Sequence, residues 1–472
     1  MSSPNIAFAN IPASLRKPGK YIEFNTSLAV RTLPGNLQRT LIIGQRLAAG
    51  TVPANTLVDV FSDAEAATFF GRGSIAHLMV RAALRANPYL SLQVLAVDDA
   101  AGVAATNTVT VTGTATSSGV LTVNVGAQSV SIAVAAGDTN TAVAAALKAQ
   151  FDKQPDLPVT ATVATNVVTM TARNKGTLGN GLRVSSSSTA TGTTVANTAP
   201  GSGATDPTLA TALALVFAAG HHIVVVPWND QTNLTALRTH LDAVSGPLEQ
   251  RGAIGVYAHV GSLATATTLA GQINSGRISC ALLPTAYEPV YEVAAAYGAV
   301  VASEEDPARP LNTLPLTGLL ANPLANRLSR TEQENALNNG VTPTEIGPGD
   351  KVQLVRSITT YTLDPQGVPD ISLLDLTTIR TLDYVRRAIR ERISLRFPRE
   401  KLSERTAKKV RSEILDVLFK LEELEIVELV TENAAGVLVE RDLQDPNRLD
   451  AKIPCDVVNG LHIFAARIDL LL

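Results

Sequence analysis

The chain has 472 residues, 45% of them hydrophobic and 17% charged, with a formal net charge of −3. That length exceeds one ordinary core and implies roughly two to four domains, in a composition normal for a soluble globular protein. The charge carries no global signal for nucleic acid or membrane, and two distant cysteines, Cys280 and Cys455, form neither a disulfide framework nor a paired-cysteine metal motif.

Met1-Ser-Ser-Pro-Asn lacks the basic start and apolar core of a signal peptide, so no secretory leader is expected. No apolar run reaches the ~18 residues of a membrane span; the longest candidate, 209–227, is broken by Gly220, His221 and His222. Residues 1–20 carry Pro4, Pro12, Pro18 and Gly19 among sparse apolar residues, Ile6, Phe8, Ile11 and Leu15, the pattern of an arm that docks on something. A short alternating strand follows, with Tyr21 and Glu23 to one side and Ile22 and Phe24 to the other.

Thr40–Gly44 reads as a buried strand ended by glycine. Ser62 and Glu65 have capping-box spacing. Gly71-x-Gly73-Ser74 lacks the third glycine and the lysine of a phosphate loop, so it reads as a turn with Ser74 capping the next helix. Ser91–Val97 is another strand. Near Asp99 the composition shifts to Thr, Ser, Ala, Val and Gly. Alternating strands are expected at 108–112, 120–124, 129–133 and 167–171, with one helix at 140–151. Residues 189–204 read as a low-complexity linker, closing a small β-rich insert. The α/β pattern then resumes: helices at 210–219, 234–245, 264–273 and 292–303, and strands at 222–227, 254–258 and 279–283. Alternating β and α units imply a mostly parallel sheet with helices on both faces. Residues 306–315 are extended and proline-rich, and 338–343 read as a turn.

The last quarter has the clearest periods. Residues 351–361 read as a strand. From Leu376 the period is helical, with Leu382, Val385, Ile389 and Ile393 on one face and Arg386, Arg387, Arg390 and Arg396 largely off it, up to Pro398. A second helix buries Val410, Ile414, Val417, Leu418, Leu421 and Leu424. The end of the sequence alternates again through Phe464, Ala466, Ile468, Leu470 and Leu472, an apolar strand without an evident partner.

No reaction site emerges. Adjacent His221 and His222 point to opposite faces of a strand and have no carboxylate at ligand spacing. Glu304-Glu305-Asp306 is a solvated charge run. A Gly-x-Ser-x-Gly elbow, a His-Glu-x-x-His motif and a dinucleotide fingerprint are missing. No metal and no cofactor are expected.

Several segments, in order along nearly the whole chain, carry a resemblance: Pro18-Gly-Lys-Tyr-Ile-Glu, Leu41-Ile-Ile-Gly-Gln-Arg-Leu-Ala-Ala-Gly, Phe70-Gly-Arg-Gly-Ser, Asp306-Pro-Ala-Arg-Pro-Leu-Asn-Thr-Leu, Arg356-Ser-Ile-Thr-Thr-Tyr361, Phe397-Pro-Arg-Glu-Lys-Leu402 and Glu440-Arg-Asp-Leu-Gln-Asp-Pro-Asn-Arg-Leu449. Together they resemble the tail sheath protein of contractile-tailed bacteriophages of the Mu-like type. The resemblance implies a multidomain α/β and α+β chain: an N-terminal arm at 1–24, a parallel-sheet, subtilisin-like α/β domain at 25–99 and 206–345, a β-rich inserted domain at 100–205, and an α+β C-terminal sheath assembly domain at 346–472 whose terminal strand arm is 458–472. The Asp-Thr/Ser-Gly, His-Gly-Thr-His and Gly-Thr-Ser-Met-Ala segments of active subtilases are absent, so no enzyme is expected, since a fold carries no activity without its site.

It also implies a helical homo-oligomer of stacked rings around a tail tube protein, meeting baseplate and tail terminator proteins, with no nucleic acid bound and no direct membrane insertion. Such a subunit is assembled in the bacterial host cytoplasm and ends in the virion tail. Inter-subunit strand exchange is expected at Tyr21, Ile22, Phe24, Leu461, Ile463, Phe464, Ile468 and Leu470, and tube contact at Arg386, Arg387, Arg390 and Arg396. Contraction would drive the tube through the host envelope. The alternatives are the sheath of a headless contractile injection system, such as an R-type bacteriocin, and a subtilase-like hydrolase.

Overall fold

The computed structural model describes residues 16–22 and 33–470. Residues 1–15, Phe24 and Leu472, which the sequence places in the two arms, lie outside the described residues.

Buried aliphatic residues form β1 (Arg39–Gln45). After β2 (Leu57–Asp59), Ser62 opens α1 (Asp63–Phe70) by accepting from the Glu65 amide at 3.2 Å. The Glu65 carboxylate accepts from the Phe61 amide at 2.9 Å, one residue further back than a capping box requires. Gly71 and Gly73 turn the chain with φ of 85° and 75°, and Ser74 caps α2 (Ile75–Ala86) through the His77 amide. The glycine stretch is thus a turn and a cap, as the sequence reads. β3 (Ser91–Val97) follows.

The insert contains β4 (Ala104–Thr112), β5 (Gly119–Val125), β6 (Gln128–Val134), α3 (Asn140–Asp152), β7 (Val159–Ala164), β8 (Val167–Lys175), β9 (Val184–Ser188) and β10 (Thr194–Asn197). They make two antiparallel sheets, ordered β10-β4-β8-β7 and β6-β5-β9. Val109, Val111, Leu121, Val123, Leu147, Phe151, Val168 and Met170 give the insert a core of its own. Outward positions pair hydroxyls across strands, Thr112 with Thr194 and Thr122 with Ser131, which explains a strand composition so rich in Thr and Ser. Residues 189–204 are corrected from linker to structure. They supply β10, then bridge back from Gly201 to Thr106 and from Ala204 to Val103. Their outward hydroxyls imitate linker composition.

The chain continues through α4 (Leu209–Leu215), β11 (Ile223–Val225), α5 (Gln231–Ser245), β12 (Ile254–His259), α6 (Leu263–Ile273), β13 (Ile278–Leu282), α7 (Val290–Ser303), α8 (Arg330–Asn338), β14 (Thr342–Gly347) and β15 (Lys351–Leu354). One sheet gathers eight strands in the order β15-β14-β13-β12-β11-β1-β3-β2. Its interior is parallel, and the edge strands β2 and β15 are antiparallel to their neighbours. The interior strands are buried along almost their whole length, as a sheet covered on both faces requires. α1, α2 and α7 pack together as one group, and α4, α5, α6 and α8 as another. α8 was not anticipated, although Ser329 and Glu332 form its capping box. The expected turn at 338–343 already enters β14.

α9 (Leu376–Arg396), α10 (Glu404–Glu423), β16 (Val427–Glu428), α11 (Val430–Asn433), β17 (Leu438–Arg441), β18 (Leu449–Lys452) and β19 (Asp456–Val457) complete the structure. Two expectations change here. The strand read at 351–361 ends at Leu354 and belongs to the large sheet, so that unit runs past the expected boundary at 345. The apolar stripe of α9 is rotated: Ile379, Tyr384, Val385 and Ala388 are buried, while Leu382 is 36% exposed. The reason is that α9 serves two cores. Leu376 and Ile379 join the central core, and Tyr384, Val385 and Ala388 join a separate one with Val410, Ile414, Val417, Leu418 and Leu421. Leu424, expected on that stripe, is exposed at the end of α10.

The insert is rooted through polar contacts. Asp99 accepts from Gln45 Nε2, Asn174 Nδ2 and the Lys175 amide at 2.7–2.9 Å, and Asn174 Oδ1 accepts from the buried Ile75 amide at 3.0 Å. Its two ends lie side by side at the Val103–Ala204 bridge. Replacing 100–203 by a short Gly/Ser linker therefore should leave a folded protein, since closing such a gap costs little entropy. It should be weakened by about 2–4 kcal/mol, because Ile75 N–H and Gln45 lose buried partners. Circular dichroism and thermal melting check this; an excised chain that fails to fold would make the insert part of the core.

Candidate assembly interface

Residues 458–470 form no strand. The segment is pinned at its start, where His462 Nδ1 lies 2.9 Å from Asn312 Nδ2 and its Nε2 3.5 Å from Asp375 Oδ1. Gly460 passes so close to Pro310 that a β-carbon would meet its ring at 2.4 Å. Beyond this anchor the side chains face solvent: Leu461, Ile463, Phe464, Ile468 and Leu470 are 79–96% exposed. Tyr21 and Ile22 are exposed too, with the Tyr21 hydroxyl donating to the Lys17 carbonyl. Apolar residues left in water along an unpaired backbone are the features a partner strand would cover.

The same domain carries incomplete sheets. Among the described residues β16 pairs only with β19, and β17 only with β18. Two-stranded units are marginal alone and gain independence with a third strand. The domain also exposes Leu395, Phe419, Leu429 and Leu438.

The four arginines of α9 are placed otherwise than expected. Arg386 donates to the Ser245 carbonyl at 2.7 Å and to Asp383 at 2.8 Å. Arg387 donates to the Gly35 carbonyl and Asn36 Oδ1 at 3.0 and 2.8 Å. Arg390 reaches the Gln250 carbonyl at 3.2 Å, and Arg396 Nε lies 3.6 Å from Glu413. Three of them bind this chain's own central domain and the fourth faces α10, so the row is corrected from a free face to an internal seam. Charged side chains two and three turns off the apolar stripe were free to point toward water or toward the rest of the chain, and periodicity does not distinguish the two.

The residues that organise this seam were missed. Asp383 receives Arg277 in a bidentate pair at 2.7 and 3.2 Å, and Gly252 permits it, since a β-carbon there would meet the Asp383 carboxyl at 2.4 Å. Arg356 grips Asp375 in the same way at 2.7–2.8 Å. Within the C-terminal core Arg392 is buried against Asp416 and Glu413 at 2.6 and 3.2 Å. The i, i+4 run Arg380, Tyr384, Ala388, Arg392 was the available signal, with acidic Glu413 and Asp416 three apart on the next helix.

Residues 202–360 match the family described as the phage tail sheath protein central domain, and residues 368–470 match the phage tail sheath C-terminal domain. Residues 100–201 of the insert fall outside both. The chain is 35% identical to the Mu-like prophage FluMu tail sheath protein of Haemophilus influenzae, across 99% of this chain and 100% of that protein. It belongs to the phage tail sheath family.

Solved sheath structures share the fold. A sheath tail protein from Desulfitobacterium hafniense aligns over 94% of this chain and 97% of its own, with a TM-score of 0.52 at 13% identity. The sheath complex of an extracellular contractile injection system in its contracted state aligns over 97% and 98%, with a TM-score of 0.50 at 12% identity. At these identities the likeness shows the fold alone. The family assignment makes the chain a contractile tail sheath component and gives its seam and exposed arm a context.

The central domain holds histidines that resist protonation. Burial pushes His221, His222 and His240 down from 6.5 to about 4, with Arg39 adding to the effect at His221 and Arg387 at His222. Between those two values the unfolded chain takes up protons that the folded chain refuses, so stability falls with pH. Glu292 acts in the opposite sense: burial raises its carboxyl from 4.5 to about 7, so its neutral form favours the fold on acidification. His77, His259 and His462 are lowered as well, and Asp242 and Glu288 raised, so lowered histidines outnumber raised carboxyls by six to three. The melting midpoint should drop as pH falls from 6.5 to 4.5, and His222→Gln should flatten the profile; a midpoint that holds or rises over that window would refute it.

Proposed function

We propose that this sheath subunit polymerises around a tail tube by exchanging its terminal strands with neighbouring copies. The observation that carries the proposal is the row of exposed apolar residues at 461–470, beside two-stranded sheets with open edges. On this reading Tyr21, Ile22, Phe24, Leu461, Ile463, Phe464, Ile468 and Leu470 form the added strands. Main-chain hydrogen bonds between subunits then survive large rigid-body rotations of the attached domains. Collapse of the extended helix to a wider, shorter one releases the energy that drives the tube through the host envelope, without nucleotide hydrolysis.

The proposed partners are further copies of this chain, the tail tube protein, and baseplate and terminator proteins. The proposed location is the virion tail, reached by assembly in the host cytoplasm. Of the four arginines first expected at the tube, only Arg390 is exposed, so it alone is retained for a polar tube contact. Exposed charge pairs of this kind contribute only ~0.2–1 kcal/mol each, which suits a grip repeated over many subunits and broken together.

The central domain is proposed to be subtilisin-like in architecture and non-enzymatic. In an open parallel sheet, catalysis favours the crevice at the carboxyl ends of strands where the strand order reverses, here between β1 and β11. Gln45 at the end of β1 is fully buried there and donates to the insert's Lys175 carbonyl at 2.8 Å. This contact brings the insert against the end of β1, which supports the non-enzymatic reading.

Deleting 461–472 should leave a folded, soluble monomer that forms no tubes. Negative-stain microscopy and sedimentation velocity check this against the intact chain. Ordered tubes from the truncated protein would remove the C-terminal strand from the assembly mechanism.

A further inference from the structure

At the opposite end of the sheet, before the amino ends of β11 and β12, a cavity of about 210 Å³ lies between the central domain and α9. Its charge is one-sided. Arg251, Arg380, Arg387 and Arg390 line it, against the single carboxylate of Asp383. That carboxylate is already engaged by Arg277 and Arg386, and Arg251 is matched by Glu249 at 2.9 Å. Arg387 and Arg390 have no carboxylate within ion-pair distance among the described residues.

Two guanidinium nitrogens in its walls have no partner. Arg380 is only 7% exposed; its Nη2 donates to the Glu304 carbonyl at 2.6 Å, and its Nη1 has no partner. The Nε of Arg387 is also without one. The contact between Arg387 and His222 adds a third imbalance. The Arg39 amide donates to His222 Nδ1 at 3.1 Å, which puts the proton of the neutral ring on Nε2. Arg387 Nη1 stands 3.2 Å from that nitrogen and is itself a donor. Two donors therefore face each other at the edge of the cavity. Burial keeps the ring neutral through most of the acid range, so a second proton does not change that conflict at neutral pH.

A small oxyanion supplies what the cavity lacks: negative charge, and several lone pairs that planar guanidinium groups bind in matched geometry. The cavity is smaller than the ~300–1,000 Å³ of pockets that hold organic ligands, which favours a compact anion over a nucleotide. The geometry points to a binding site for inorganic phosphate or diphosphate in this cavity, held by Arg380, Arg387 and Arg390. Because Arg380, Arg387 and Arg390 belong to α9 while the cavity's other wall belongs to the central domain, the bound anion fastens the C-terminal domain to the central sheet. Occupancy would set the stiffness of the joint between them.

The test is calorimetric titration of the whole chain with inorganic phosphate and with pyrophosphate, alongside thermal melts in each salt and in sodium chloride at matched ionic strength. The expected result is saturable binding of one anion per chain, with a rise in melting midpoint that chloride does not reproduce. Arg387→Gln and Arg390→Gln should each weaken binding at least tenfold, while Arg448→Gln, on the distant β17–β18 hairpin, should bind as the native chain does. Arg390 is exposed, so its variant keeps the fold and holds the test even if Arg387→Gln does not. A response equal to that of chloride, or an Arg390→Gln chain that binds both anions undiminished, would overturn the assignment.

Discussion

One helix must satisfy two cores. α9 gives its first turns, Leu376 and Ile379, to the sheet domain and its middle, Tyr384, Val385 and Ala388, to the helical pair with α10. A single 21-residue rod cannot bend sharply between the two without a proline or bulge to break its ladder. Its orientation is set instead by charge. Arg277 and Asp383, Arg356 and Asp375, and Arg386 with the Ser245 carbonyl fix the rod to the sheet from several sides. These pairs are partly buried and bidentate where they count, so they specify geometry more than they add stability. The C-terminal domain inherits its position from them.

A sheath needs such a joint. On the proposed rigid-body contraction, this connection carries load between the C-terminal and central domains. A polar, directional seam holds one relative orientation and rejects its neighbours, where an apolar contact would slide. The proposed anion in the adjoining cavity would act on the same seam, by neutralising the arginines that crowd it. At the far end of the sheet the inserted domain is tied to the end of β1 by hydrogen bonds, Gln45 donating to the Lys175 carbonyl and Asn174 to the Arg46 carbonyl. The two ends of one parallel sheet are therefore used differently: one carries the insertion, the other is docked on the C-terminal domain.

The arms show the complementary situation. Residues 463–470 leave apolar side chains in water, and no strand of the described residues covers them. Nothing local removes that exposure: β16 and β19 pair over two residues only. On the proposed assembly, burying this exposed apolar surface supplies driving force for the arm's docking.

The sequence by itself determined the elements whose signal is local. Five parallel-sheet strands, four strands of the insert, the caps at Ser62 and Ser74, and the limits of α9 were legible because period, turn chemistry and caps act over a few residues. It also carried the family, through short segments spread along the chain. What it did not determine was direction. Residues 189–204 look like a linker, and only pairing with β4 makes a strand of Thr194–Asn197. Residues 351–361 look uniformly extended, and only the vacant edge of β14 decides that the strand stops at Leu354. Arg386, Arg387 and Arg390 lie off the apolar stripe in any reading, but whether they meet solvent or Ser245, Asn36 and Gln250 depends on where α5 and β12 bring the chain. Local patterns give an element its period; for α9, partners more than a hundred residues away decide what its arginine face meets.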